Sequence, residues 1–127
     1  MKIAPDASGD VIRCAIEVHR ELGGPGLLES VYEEALAWEL TQVGLNVERQ
    51  VTCHIRYKDV QLATPLRIDL LVNGHLVVEC KATSEHHPVF ESQVLTYLRL
   101  KRLRLGLVLN FGFPTLKEGI RRVINGY

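Results

Sequence analysis

The apolar positions of this chain change their period along its length, and each change marks an element. Val11, Ile12, Ala15, Ile16, His19 and Leu22 recur at helical spacing and predict a first helix, with Asp6 or Ser8 as its cap. Gly23-Gly24-Pro25-Gly26 ends that helix in a turn. No strand precedes these glycines and no Gly-Lys-Ser/Thr follows, so they do not form a phosphate-cradling loop. A second helix is predicted over residues 27–42, with Val31, Tyr32, Ala35, Leu36, Leu40 and Val43 on its buried side and Gly44 as its stop. Glu29, Glu33, Glu34 and Glu39 decorate it, and Glu29 in the first turn suits the helix dipole.

Residues 47–57 are rich in β-formers and partly alternate; Lys58-Asp59 starts a turn, and residues 60–66 lead into the next pair of strands. That pair spans residues 67–82, two apolar runs around an Asn73-Gly74 hairpin signal. Pro88 suits the first position of a third helix, capped by His87 or an earlier residue, with Phe90, Val94, Tyr97 and Leu98 inward. Residues 105–111 form a continuous apolar run, the pattern of a strand buried on both faces. Residues 116–124 form a last short element whose type the pattern leaves open. The order α-α-β-β-β-α-β predicts an α/β fold with a central mixed sheet flanked by helices. Trp38 and Cys14 read as packing residues.

Composition narrows the class. With 46% hydrophobic and 24% charged residues over 127 positions, the chain can build one domain around one core. It has no apolar run of 18 residues, which argues against a transmembrane helix. The first ten residues carry one Lys and no apolar stretch, so no secretory signal is expected. Cys14, Cys53 and Cys80 are odd in number and widely spaced, which predicts free thiols in a reducing cytoplasm.

Net charge is zero, yet residues 1–66 hold 6 Lys/Arg against 10 Asp/Glu while residues 67–127 hold 9 against 5. From Arg99 onward Glu118 is the sole acid among seven basic residues. That end reads either as a phosphate-backbone footprint or as a solvated helix surface.

Three charges interrupt the hairpin: Asp69, Glu79 and Lys81. Charge in a strand that otherwise looks buried is costly unless paired or bound to a metal. Strand parity puts Glu79 and Lys81 on one face. A two-residue loop would place Asp69 on the other face, opposite Val78. A three-residue loop pairing Leu71 with His75 would bring it to the face of Glu79, so an odd loop or a bulge is expected. Two adjacent carboxylates want a cation, and Mg²⁺ with oxygen ligands would supply a metal-activated water for phosphodiester hydrolysis. On spacing alone a salt bridge, Asp69–Lys81 or Glu79–Arg67, remains the alternative. His86-His87 reads as a polar loop and cap, and Cys53-His54 lacks zinc spacing.

Asp69 followed by Glu79-Cys80-Lys81 resembles the D…(D/E)-x-K signature of the PD-(D/E)xK nuclease superfamily. Gly26-Leu27-Leu28-Glu29-Ser30-Val31-Tyr32 matches the motif that names the GxxExxY protein family. Gln93-Val94-Leu95-Thr96-Tyr97 is similar to the Q-x-x-x-Y motif of RecB-type nucleases, and the similarity extends through Asn110-Phe111-Gly112 and Lys117-Glu118-Gly119-Ile120.

This resemblance implies a restriction-endonuclease-like fold over residues 1–127, a single nuclease domain using Mg²⁺, with Mn²⁺ as an alternative. It implies Asp69, Glu79 and Lys81 as catalytic residues. Glu29, Asp69, Glu79 and the Cys80 carbonyl become the metal ligands. Gln93 and Tyr97 would place the nucleic-acid strand, and Arg67 could touch its phosphate. Ile68, Cys80 and Thr96 depart from the usual pattern without removing a ligand or the lysine. The expected partner is nucleic acid, DNA taken ahead of RNA. A homodimer stays open, because a chain of 127 residues offers little surface for wrapping a duplex. The alternative function is a non-catalytic nucleic-acid or protein binding module on the same fold. A third reading makes the three charges a buried ion-pair network.

Overall fold

The computed structural model describes residues 6–24 and 26–126. Pro25 of the predicted turn, and the first five of the ten residues in which no secretory signal is expected, lie outside the described residues. The elements run α1 (Ser8–Leu22), α2 (Glu29–Gln42), β1 (Val47–Cys53), β2 (Arg56–Tyr57), β3 (Val60–Gln61), β4 (Leu66–Val72), β5 (Leu76–Lys81), α3 (Pro88–Lys101), β6 (Leu105–Asn110), a 3-10 turn (Leu116–Gly119) and β7 (Ile120–Ile124).

Five strands form one sheet in the order β1-β4-β5-β6-β7, and β2 with β3 makes a separate ribbon. Every pair in the large sheet is antiparallel except β5–β6. A parallel pair needs a long crossover, and α3 supplies it. The sheet is therefore mixed and the class α/β, as the pattern predicts. The segment whose type the sequence left open becomes the 3-10 turn and the edge strand β7.

α1 and α2 cover one face of the sheet and α3 the other. β6 is buried on both sides: Leu107 and Leu109 face the helix pair, Val108 faces α3. The Asp6 carboxylate accepts the Ser8 N–H at 2.8 Å at the start of α1.

Both N-terminal helices are rotated relative to the expected stripes. α1 buries Val11, Cys14, Ala15 and Val18, whereas Ile16 and Leu22 are exposed. α2 buries Tyr32, Glu33, Leu36, Ala37 and Leu40 and leaves Val31 and Val43 outside. On α2 the buried face includes Glu33, whose carboxylate meets Arg49 and Gln50 and so can turn inward. Trp38, expected to be a packing residue, lies at the surface at 61% exposure. With Val18, Leu22, Val31 and Ala35 it lines a groove of about 430 Å³ between the two helices.

Tyr32 locks the layers together. It is fully buried and stacks flat on Phe111, with ring centroids 4.6 Å apart and planes 9° apart. Its hydroxyl donates to the Gly23 carbonyl at 2.7 Å, tying the end of α1 to the end of β6. Tyr32→Phe keeps the stack and loses this bond. A loss of about 1 kcal/mol is expected in urea unfolding; an unchanged midpoint would show that the bond contributes nothing.

Candidate active site

The hairpin β4–β5 turns through three residues, Asn73, Gly74 and His75. Asn73 and Gly74 lie in the left-handed region at φ 52° and 72°. Val72 pairs with Leu76, Leu71 with Val77 and Leu70 with Val78. The odd loop is present, but its register differs from the expected Leu71–His75 pairing. Counting on, Asp69 falls opposite Glu79.

The backbone ladder stops at that point and side chains replace it. The Asp69 N–H donates to Glu79 Oε1 at 3.0 Å, and the Cys80 N–H donates to Asp69 Oδ2 at 2.9 Å. On the other side of β4, the pairing with β1 skips one step between Arg49–Leu70 and Val51–Ile68. The skipped pair is Gln50 and Asp69, and Gln50 has a φ of 52°. Both strands change face there. Leu70, Val72 and Val47 pack toward α1 and α2, while Ile68, Val51 and Cys53 pack toward α3. Asp69 thus sits in a fork of the sheet, reachable from both layers.

Burial is the main force on Glu79, which is 4% exposed. Together with the charge of Asp69 it raises the Glu79 carboxyl to about 9. Glu79 therefore holds a proton at neutral pH unless a cation replaces it. Lys81, two residues on, donates from Nζ to Gln93 Oε1 at 2.9 Å and lies 4.7 Å from the centre of the Phe90 ring. Tyr97, one turn beyond Gln93 on α3, is pushed up to about 12 by burial and by the charges of Glu79 and Asp69. α3 therefore brings Gln93, Tyr97 and Phe90 to the fork. Arg67 is exposed on β4, two residues before Asp69 and in register with Thr52.

Glu29 stands apart from the predicted metal shell. Its Oε2 accepts the Ala82 N–H at 3.3 Å, just past Lys81. Among the described residues no group of three or more His, Cys, Asp or Glu side chains is arranged to hold a metal ion. The expected Glu29–Asp69–Glu79 cluster is divided because each carboxylate is turned onto a backbone N–H. The donor chemistry nevertheless fits a hard cation. Asp69 and Glu79 offer oxygen. In a strand N–H and C=O of one residue point the same way, so the Cys80 carbonyl faces the same fork as its N–H.

The family model of the PD-(D/E)XK nuclease superfamily matches residues 5–123. The chain belongs to this superfamily. No curated protein matches the chain. It is a superfamily of nucleases.

The sequence reading missed Glu33, Arg49 and Gln50. Glu33 is buried; its Oε2 accepts from Arg49 Nε at 3.1 Å and its Oε1 from Gln50 Nε2 at 2.8 Å. Burial first, and the charge of Asp69 among lesser causes, pushes its carboxyl up. One signal was available: Glu33 lies one helical turn after Glu29 and so shares its face. The basic C-terminal end also differs from a single footprint. Arg121 pairs with Val108 and Arg122 with Leu107, so strand alternation sends these two charges to opposite faces. Arg122 donates to the Ser8 hydroxyl at 3.1 Å. No described helix is long and apolar enough to cross a membrane.

Proposed function

We propose that this chain hydrolyses phosphodiester bonds in nucleic acid, using Asp69, Glu79 and Lys81 with a divalent cation, Mg²⁺ or Mn²⁺. The observation that carries the reading is the mutual clasp across the fork: two acids, each bound to the other strand's backbone, with Lys81 beside them. Asp69, Glu79 and the Cys80 carbonyl would hold the cation, and Glu29 could join them by releasing Ala82. A bound divalent cation supplies Lewis acidity toward a phosphoryl oxygen and lowers the pKa of water.

The chain's own residues do the rest. Glu79 would be held as the carboxylate by a bound cation, its proton passing to solvent. Lys81, aimed by Gln93 and the Phe90 face, orients the attacking water and offsets charge developing on the phosphate. Gln93 and Tyr97 place the strand, and Arg67 meets a flanking phosphate. The free, buried thiols of Cys14, Cys53 and Cys80 favour a reducing, cytoplasmic setting.

The test is cleavage of single-stranded, duplex and branched DNA, then RNA, with Mg²⁺ or Mn²⁺. Lys81→Ala should lower the rate by about 100-fold or more while circular dichroism stays unchanged. If the native protein leaves every substrate intact but binds DNA in a salt-sensitive way, the chain is a binding module and the catalytic reading is wrong.

A further inference from the structure

Gln50 stands where strand structure does not favour it. Its φ of 52° puts a long side chain in the left-handed region, which glycine and asparagine occupy at lower cost. It is exposed, so burial does not hold it there. What holds it is a bridge. Its Nε2 donates to Glu33 Oε1 at 2.8 Å and reaches Asp69 Oδ1 at 3.4 Å. Arg49 fastens the other oxygen of Glu33 at 3.1 Å, and the Cys80 N–H fastens the other oxygen of Asp69 at 2.9 Å. Both oxygens of each acid are engaged, so neither carboxylate can rotate without losing a bond.

We infer that Gln50 is a positioning residue for Asp69, spanning Glu33 and Asp69 to fix the rotamer in which Asp69 meets Cys80 and Glu79. Its use in catalysis rests on the proposed nuclease centre. The choice of an amide follows from charge. A lysine there would neutralise Asp69, and a third carboxylate would repel it. A carboxamide has two N–H donors and no charge, so it separates two acids while leaving the charge of Asp69 for a cation. The unfavourable backbone at this position is the mark of a residue kept for its side chain.

Two variants test this in the full chain. Gln50→Gly relieves the backbone and removes the bridge. Gln50→Asn keeps a residue that accepts this backbone but is one methylene too short to span both acids. Gln50→Gly should hold the melting temperature, the relieved backbone offsetting the lost bonds, and Gln50→Asn should lower it by no more than about 5 °C. The first readout needs neither metal nor substrate: hydrogen exchange at the Cys80 amide. It should become about tenfold faster in both variants, while the Gly112 amide, held by Asn110 Oδ1, keeps its rate. The second is a Mn²⁺ titration, whose midpoint should weaken about tenfold.

Unchanged Cys80 exchange overturns the inference, as does an unmoved Mn²⁺ midpoint in a protein that binds Mn²⁺. A larger drop in melting temperature with faster exchange across the whole sheet would make Gln50 a support of the fold and overturn it too. If the native protein neither binds Mn²⁺ nor cleaves, the nuclease reading fails, and Cys80 exchange alone decides the role of Gln50.

Discussion

Glu79→Gln should make the metal-free protein more stable at pH 8, even as it removes a group on which the proposed hydrolysis depends. The sign follows from linkage. Glu79 is raised from 4.5 to about 9 in the folded chain, chiefly by burial and then by the charge of Asp69. Between those values the native state binds more protons than the unfolded state, so stability falls as pH rises. The contribution is fully present below about 4.5 and is lost as pH climbs through about 9. From pH 5 to pH 8 the loss is on the order of 4 kcal/mol, a large share of a typical domain's stability.

Glutamine keeps the oxygen that accepts the Asp69 N–H and has no proton to lose. Urea midpoints at pH 5, 6, 7, 8 and 9 should therefore diverge, the native protein falling below the variant as pH rises. Glu33, raised by burial and by Asp69 in both proteins, drops out of the difference, and Tyr97, which feels Glu79, titrates above this range. Millimolar Mg²⁺ should recover stability at pH 8 in the native protein and much less in the variant. Parallel pH profiles would mean that Glu79 is not the buried acid described above.

Gly112→Ala should be the most damaging single methyl in the chain. A Cβ there would lie 2.1 Å from the Thr83 carbonyl oxygen and 2.6 Å and 2.7 Å from two more Thr83 backbone atoms. Backbone cannot swing aside as a side-chain tip can. Moving residue 112 away breaks the clip that Asn110 makes. Its Oδ1 accepts from Thr83 N at 3.0 Å and from Gly112 N at 2.9 Å, and its Nδ2 donates to the Thr83 hydroxyl at 2.8 Å. About 3 kcal/mol or more should be lost, roughly 10 °C in melting temperature. Thr83 follows Lys81 by two residues, so the surviving folded fraction should also cleave poorly. A melting temperature within about 2 °C of the native value would refute this account.

The hairpin was legible because its signals are local: a turn dipeptide, alternation, and charges whose parity can be counted. Parity alone required an odd loop, and the chain has one. The register slipped from the expected Leu71–His75 to Val72–Leu76 because the sequence does not say which residue closes a three-residue loop. The face change at Gln50 and Asp69 was not legible, since it needs two distant strands to skip the same step together. Glu33 could have been read from its spacing after Glu29, had polarity not argued for solvent. Its burial goes with a rotation of α2 that leaves Val31 and Trp38 at the surface, and no comparable polar residue accounts for Ile16 on α1. What the pattern could not separate was an acid on a surface from an acid with Arg49 and Gln50 waiting for it.

Trp38 is the only tryptophan in the chain and stands 61% exposed. Its indole already meets water in the folded protein, so its emission will change little on unfolding. Denaturation is better followed by far-ultraviolet dichroism or by the buried Tyr32. The same fluorophore is well placed for another purpose. A molecule that settles in the groove between α1 and α2 would remove it from solvent and shift its emission to the blue, while binding at the fork, fed by α3 and a different face of α2, would leave the signal still.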